Sequence, residues 1–91
     1  MSRYIEQTSL FKRQVKLAKK RGMDIEKLQK AIQLLINDEP LTPKYRDRKL
    51  IGDFGGCREC HLEPDWLLIY RLTADGGLEL IETGTHSDLF R

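Results

Sequence analysis

His61-Leu62-Glu63-Pro64-Asp65-Trp66-Leu67-Leu68-Ile69-Tyr70-Arg71 is the stretch on which the reading of this chain turns. The break at Leu62-Glu63-Pro64 predicts a tight loop, and the apolar run from Asp65 to Leu72 predicts a strand. Alternation along that strand puts Trp66 and Tyr70 on one face and Asp65 on the other. The aromatics are therefore expected in the core, as are Tyr45 and Phe54. Of the two histidines in the chain, one opens this stretch and the other follows it in Gly84-Thr85-His86.

Working outward, Gly76-Gly77 marks a turn, and the segment Leu78 to Thr85 is apolar at nearly every position. That pattern predicts a central strand. On the other side, the segment from Gly55 to His61 reads as a third partner. A loop at Leu62-Glu63-Pro64 sets His61 opposite Asp65. A hairpin that pairs Leu72 with Glu79 sets Asp65 opposite His86. Directly opposed residues have Cβ atoms about 4.5–5.5 Å apart. The expectation is one row, His61, Asp65 and His86, across three adjacent strands. A slip of one residue scatters it to opposite faces.

The N-terminal half reads differently. A short strand is expected from Tyr4 to Gln7, with Thr8 or Ser9 capping the helix that follows. Phe11, Val15 and Ala18 recur at helical spacing, and Gly22 is a stop. Asp24 caps a second helix with the stripe Ile25, Leu28, Ile32, Leu35, widened by Ala31 and Ile36. So short a connection predicts an antiparallel helix hairpin. The segment from Asn37 to Leu50 reads as a loop, punctuated by Pro40 and Pro43 and ending in Lys44, Arg46, Arg48 and Lys49.

Length and charge limit the interpretation. Ninety-one residues suit one small domain spanning 1–91. No apolar run is long enough to span a bilayer and the N-terminus lacks a signal-peptide core, so a cytoplasmic protein with no membrane partner is expected. The net charge is +2, but residues 1–50 carry +7 and residues 51–91 carry −5. A solvated helix face is the commoner cause of lysine runs. A footprint for a polyanion such as RNA is the alternative.

Two imidazoles and a carboxylate suit RNA cleavage. The ribose 2′-OH must lose a proton to attack phosphorus, and the departing 5′-oxygen must gain one. Arginines can hold the phosphate and aromatics can stack on bases. Ordinary hydrogen-bonding roles at strand ends are the plain alternative. Cys57-Arg58-Glu59-Cys60-His61 matches the C-x-x-C-H string of haem attachment, but in a strand the two cysteines point to opposite faces. The same alternation argues against zinc on Cys57, Cys60, His61 and His86. No cofactor and no metal are expected. Phe90, after the last strand, can stack on a base or pack the tail down.

The order of elements, with Lys16-Leu17-Ala18-Lys19-Lys20-Arg21, Leu34-Leu35-Ile36-Asn37, His61-Leu62-Glu63-Pro64-Asp65-Trp66, Leu68-Ile69-Tyr70 and Thr83-Gly84-Thr85-His86-Ser87-Asp88-Leu89-Phe90, resembles the YafQ-type toxins of the RelE superfamily. The resemblance spans essentially the whole chain. It implies an α+β, RelE-like (microbial-ribonuclease-like) fold: an N-terminal strand and an antiparallel helix hairpin on a small, mainly antiparallel sheet. It further implies a metal-free mRNA endonuclease acting in the A site of the 70S ribosome and inhibiting translation. A DinJ-like ribbon-helix-helix antitoxin is implied as partner, its complex binding operator DNA through the antitoxin.

The family's functional histidine, aspartate and C-terminal histidine fall on His61, Asp65 and His86, and its terminal aromatic on Phe90. Lys44, Arg46, Arg48 and Lys49 are the expected RNA or phosphate contacts. Where relatives carry a histidine in the basic loop, this chain has Arg48, which can clamp phosphate but not act as a base. Cys57 stands where relatives can carry tyrosine. The alternatives are a ParE-like toxin that inhibits DNA gyrase by binding it, and an RNA-binding module without activity.

Overall fold

The computed structural model describes residues 3–90. Met1 and Ser2, which open the stretch read for a signal peptide, and Arg91 lie outside the described residues. The described elements are β1 (Ile5–Gln7), α1 (Ser9–Lys20), α2 (Ile25–Ile36), β2 (Arg48–Lys49), β3 (Arg58–Glu63), β4 (Trp66–Leu72), β5 (Leu78–Gly84) and the short α3 (His86–Leu89).

Local chemistry accounts for the helices. Thr8 Oγ1 accepts from Phe11 N at 2.9 Å and starts α1. Gly22, at φ +76°, ends it with paired bonds from Gly22 N to Lys19 O and from Met23 N to Ala18 O. Asp24 caps α2 through Glu26 N. The same C-terminal pattern closes α2, with Asp38 at φ 56° in the glycine position and its carboxylate held by Arg3 Nη2 at 2.7 Å. Phe11 and Ala18 of α1 and Leu28, Ala31 and Leu35 of α2 are buried in one cluster with Cys60, Trp66, Leu68, Tyr70, Leu78 and Leu80 of the sheet.

The sheet has five strands in the order β1-β5-β4-β3-β2, parallel between β1 and β5 and antiparallel elsewhere. β5 is interior, as its apolar run predicts. The free edge of β5 beyond β1 is completed by side chains of the first helix and its cap. Thr8 Oγ1 donates to Ile81 O at 2.7 Å, and Gln14 Oε1 accepts from Thr83 N at 2.9 Å.

The structure departs from the expected layout in four places. The segment 37–50 is not all loop: it contains a 3₁₀ turn at Pro43–Tyr45 and the edge strand β2. Two residues are too few to show a period, so only pairing with β3 reveals β2. The strand expected from Gly55 begins at Arg58, because a 3₁₀ turn at Gly52–Phe54 and Gly56 at φ +86° precede it. The β3–β4 loop is Pro64-Asp65, with a bulge between His61 and Glu63, so His61 faces Leu67 rather than Asp65. That bulge keeps both Leu62 and Trp66 in the core.

A second bulge lies between Ile69 and Tyr70 on the β4–β5 ladder. Leu72 therefore pairs with Leu78, not Glu79, while Leu68 pairs with Thr83 and Leu67 with Gly84. Beyond the bulge the expected register is restored, and it carries Asp65 and His86 toward each other past the end of the ladder.

Candidate active site

Asp65 sits in the β3–β4 turn and His86 is the first residue of α3. The row expected on three strands is thus built instead from a turn and a helix start. One carboxylate oxygen, Asp65 Oδ1, accepts from His86 N at 2.9 Å and meets His86 Nδ1 at 2.6 Å. The backbone bond, and then the imidazole bond, hold the Asp65 carboxyl below the usual carboxylate range. An ionised carboxylate at Nδ1 fixes a proton on that nitrogen and leaves Nε2 to work. Both side chains are open to solvent, 50% exposed for His86 and 66% for Asp65. The His61 ring lies 5.8 Å from that of His86, centroid to centroid, and its Nδ1 is buried without a hydrogen-bond partner.

The placement of His86 depends on a clamp around the first turn of α3. Thr85 Oγ1 accepts from Asp88 N, and Asp88 Oδ2 accepts from Thr85 N at 3.0 Å, a capping box. Asp88 Oδ2 also pairs with Arg21 Nη1 at 2.8 Å, tying α3 to the end of α1. Arg21, followed by the Thr85 amide, pulls the Asp88 carboxyl down to about 2. A Cβ on Gly84 would stand 3.0 Å from Asp88 Cβ and Oδ2, so any other residue there presses on the Asp88 side chain. Neither Arg21 nor Asp88 stands out in the sequence, because nothing local signals a contact between residues 67 positions apart.

Aromatic and basic residues surround this pair. Phe90 is 41% exposed and packs edge-to-face on Phe54 at 5.6 Å, with the His86 ring 6.4 Å away. Phe54 is only half-buried, so it belongs to this aromatic edge rather than to the core. Lys44 and Arg46 line a hollow beside His61, joined by Lys27 and Lys30 of α2, which the sequence reading did not select.

Arg48 and Lys49 are adjacent on β2 and by alternation point to opposite faces. Arg48 Nε binds Glu59 Oε2 at 2.6 Å. Lys49 lines a separate hollow with Leu50, Cys57, Arg58 and Leu72, away from the histidines. Between Arg46 and Arg48, Asp47 is pinned by Arg58 Nη2 at 2.8 Å and by the Tyr70 hydroxyl. Burial, then the Asp47 bond, drive the Tyr70 hydroxyl upward.

Trp66, Tyr70 and Tyr45 are buried as expected, and Trp66 Nε1 donates to Thr83 Oγ1 at 3.0 Å. Cys60 lies in the core, where burial pushes its thiol up to about 12. Cys57 is half-buried next to the start of β3. The four side chains Cys57, Cys60, His61 and His86 therefore do not converge.

The family model for the bacterial toxin of type II toxin–antitoxin systems, YafQ, matches residues 3–91. The chain is 46% identical over 91 residues to the mRNA interferase toxin YafQ of Escherichia coli, covering 99% of this chain and 98% of that protein. The toxin in the Escherichia coli DinJ–YafQ toxin–antitoxin complex matches with a TM-score of 0.92 at 46% identity, covering all of both chains. A metal-bound toxin from Helicobacter pylori matches with a TM-score of 0.90 at 40% identity, covering 99% of this chain and 100% of that one. On sequence, fold and the residues gathered at the end of the sheet, the chain belongs to the YafQ toxin family.

Proposed function

We propose that this chain is the toxin of a type II toxin–antitoxin system and cuts translated mRNA in the ribosomal A site, thereby inhibiting translation. The observation that carries the chemistry is the 2.6 Å contact of His86 Nδ1 with Asp65 Oδ1 beside a second imidazole, His61. One imidazole takes the proton of the ribose 2′-OH as its oxygen attacks phosphorus. The other delivers a proton to the departing 5′-oxygen. The products are a 2′,3′-cyclic phosphate and a 5′-hydroxyl. Asp65 orients His86, and Lys44 and Arg46 hold the strand near His61. Arg48 is 71% exposed, so its terminal nitrogens are available to phosphate while Nε holds Glu59. Phe90, held near His86, offers a face or edge to a base.

Relatives named mRNA interferase and a relative solved with DinJ support this reading over gyrase inhibition. A pure binder has no use for an oriented His–Asp pair. The same relatives support a DinJ-like antitoxin, the 70S ribosome and mRNA as partners; a ribbon-helix-helix fold for that antitoxin and operator binding by the complex through it are part of the proposal. The proposed action on translating ribosomes carries a cytoplasmic location with it; no described helix is long and apolar enough to cross a membrane.

The test is brief expression of wild type and His86→Ala, followed by mapping of message 5′ ends and their chemistry. Wild type should give new 5′-hydroxyl ends within reading frames, and the variant none. Wild-type cleavage by the variant would remove His86 from the mechanism. Absence of cleavage by wild type on translating ribosomes would remove the function.

A further inference from the structure

The hollow beside His61 has a volume of about 440 Å³. Lys27 and Lys30 reach it from α2, Lys44 and Arg46 from the loop before β2, and Glu63 from the end of β3. Four cations from two distant segments converge there against one carboxylate. A solvated helix face does not require such convergence, because lysines on a free surface gain by separating.

The loop is built to hold its two cations in place. Tyr45 is buried beneath it, with Lys44 Nζ 5.2 Å from the ring centroid. Arg46 is held at φ 45°, ψ 48°, a left-handed conformation that is unfavourable for an L-residue. The buried Tyr45 and the pinned Asp47 on either side enforce it. Strain of this kind concentrates at binding sites. Glu63 Oε2 approaches Lys27 Nζ at 3.6 Å, so the hollow already offers one of its cations an internal anion.

We propose that this hollow binds an RNA phosphodiester beyond the scissile one, with Lys27 and Lys30 as strand-binding residues and Glu63 as a built-in competitor for Lys27. The proposal rests on the RNA-cleaving reading above, because a strand held at His61 passes over the rim of the hollow. The phosphate can belong to the message or to ribosomal RNA.

Binding of the full-length chain to a short 2′-O-methyl single-stranded RNA and to vacant ribosomes tests it across a salt series. Each phosphate contact contributes a slope of about 0.7 in log K against log salt on single strands. Lys27→Gln with Lys30→Gln should therefore make the slope shallower by about 1.4 and weaken binding about 25-fold near 0.1 M salt. Glu63→Gln should tighten binding about two- to fivefold, the range of an exposed ion pair. Lys12→Gln with Lys16→Gln, an equal charge change on exposed positions of α1, is the control.

Loss on the oligonucleotide assigns the hollow to the message, and loss on vacant ribosomes alone assigns it to ribosomal RNA. Affinities within twofold of the control pair on both, or no gain from Glu63→Gln, overturn the proposal. Weakening confined to an acidic antitoxin segment also overturns it, as the hollow then serves a protein. None of these measurements reads cleavage, so failure of the hollow to bind RNA and failure of the chain to cut message are read separately.

Discussion

Replacing Arg48 with Gln should destabilise the fold before it alters any contact with RNA. Glu59, the partner of Arg48, is 1% exposed, and its second oxygen, Oε1, is buried without a hydrogen bond. Removing the one cation bonded to Glu59 among the described residues strands a carboxylate in the sheet. Breaking a fully buried pair costs about 3–5 kcal/mol. A hydrogen bond to a charged group is worth about 1.5–3 kcal/mol. The Arg48 side chain is 71% exposed, so water replaces part of what Glu59 loses, and the lower range applies. We expect a loss of about 2–3 kcal/mol, which in a chain of this size lowers Tm by about 10–20 °C. Urea unfolding of Arg48→Gln, Glu59→Gln and the double variant gives the coupling directly. The double variant should recover most of the stability that Arg48→Gln loses, since no buried charge remains. An Arg48→Gln protein within about 0.5 kcal/mol of wild type would refute the reasoning. It would then leave Arg48 as a phosphate contact alone.

Other outcomes follow from the same geometry. His86→Gln should lose at least about 100-fold in cleavage rate on programmed ribosomes, with Tm essentially unchanged because the side chain is half-exposed. Arg21→Gln removes the ion pair that ties Asp88 and the first turn of α3 to α1, so kcat should fall about tenfold or more while KM moves little, and Arg21→Lys should restore part of it. Asp65 has a depressed folded-state pKa, so its bonds to His86 are intact above the ordinary carboxylate range. They are lost only as pH falls through that lowered value. A carboxyl NMR titration showing Asp65 at or above the ordinary value would contradict the pairing. Gly84→Ala presses on Asp88, which must shift by a few tenths of an ångström, and should cost about 1 kcal/mol in urea unfolding, with activity falling alongside.

Much of the fold was legible because its signals are local. Thr8 and Asp24 cap the helices that follow them within three residues, and Gly22 ends α1 by a backbone angle that suits glycine. The apolar spacings of Phe11 to Ala18 and Ile25 to Leu35 need only the helical period. The strands around Gly76-Gly77 announce themselves in the same way. The bulges were not legible. Each adds one residue whose cost is set by what the sheet must bury, Leu62 with Trp66 in one case and Leu80 with Tyr70 in the other. The expected register erred by two residues between β3 and β4, and an even error preserves the face. His61 therefore still lies near His86.

The amino-acid sequence by itself determined the two long helices, the β4–β5 hairpin and the family, since periodicity, caps and motif strings act over a few residues. Tertiary structure alone decided which cations stand beside the histidines. It turned Arg48 toward a buried carboxylate, sent Lys49 to the other face, and brought Lys27 and Lys30 from α2 to the side of His61. The physical reason is that a charged side chain is soluble anywhere on a surface. Its role is set by the partner that folding places within a few ångströms of it, and no spacing along the chain encodes that distance.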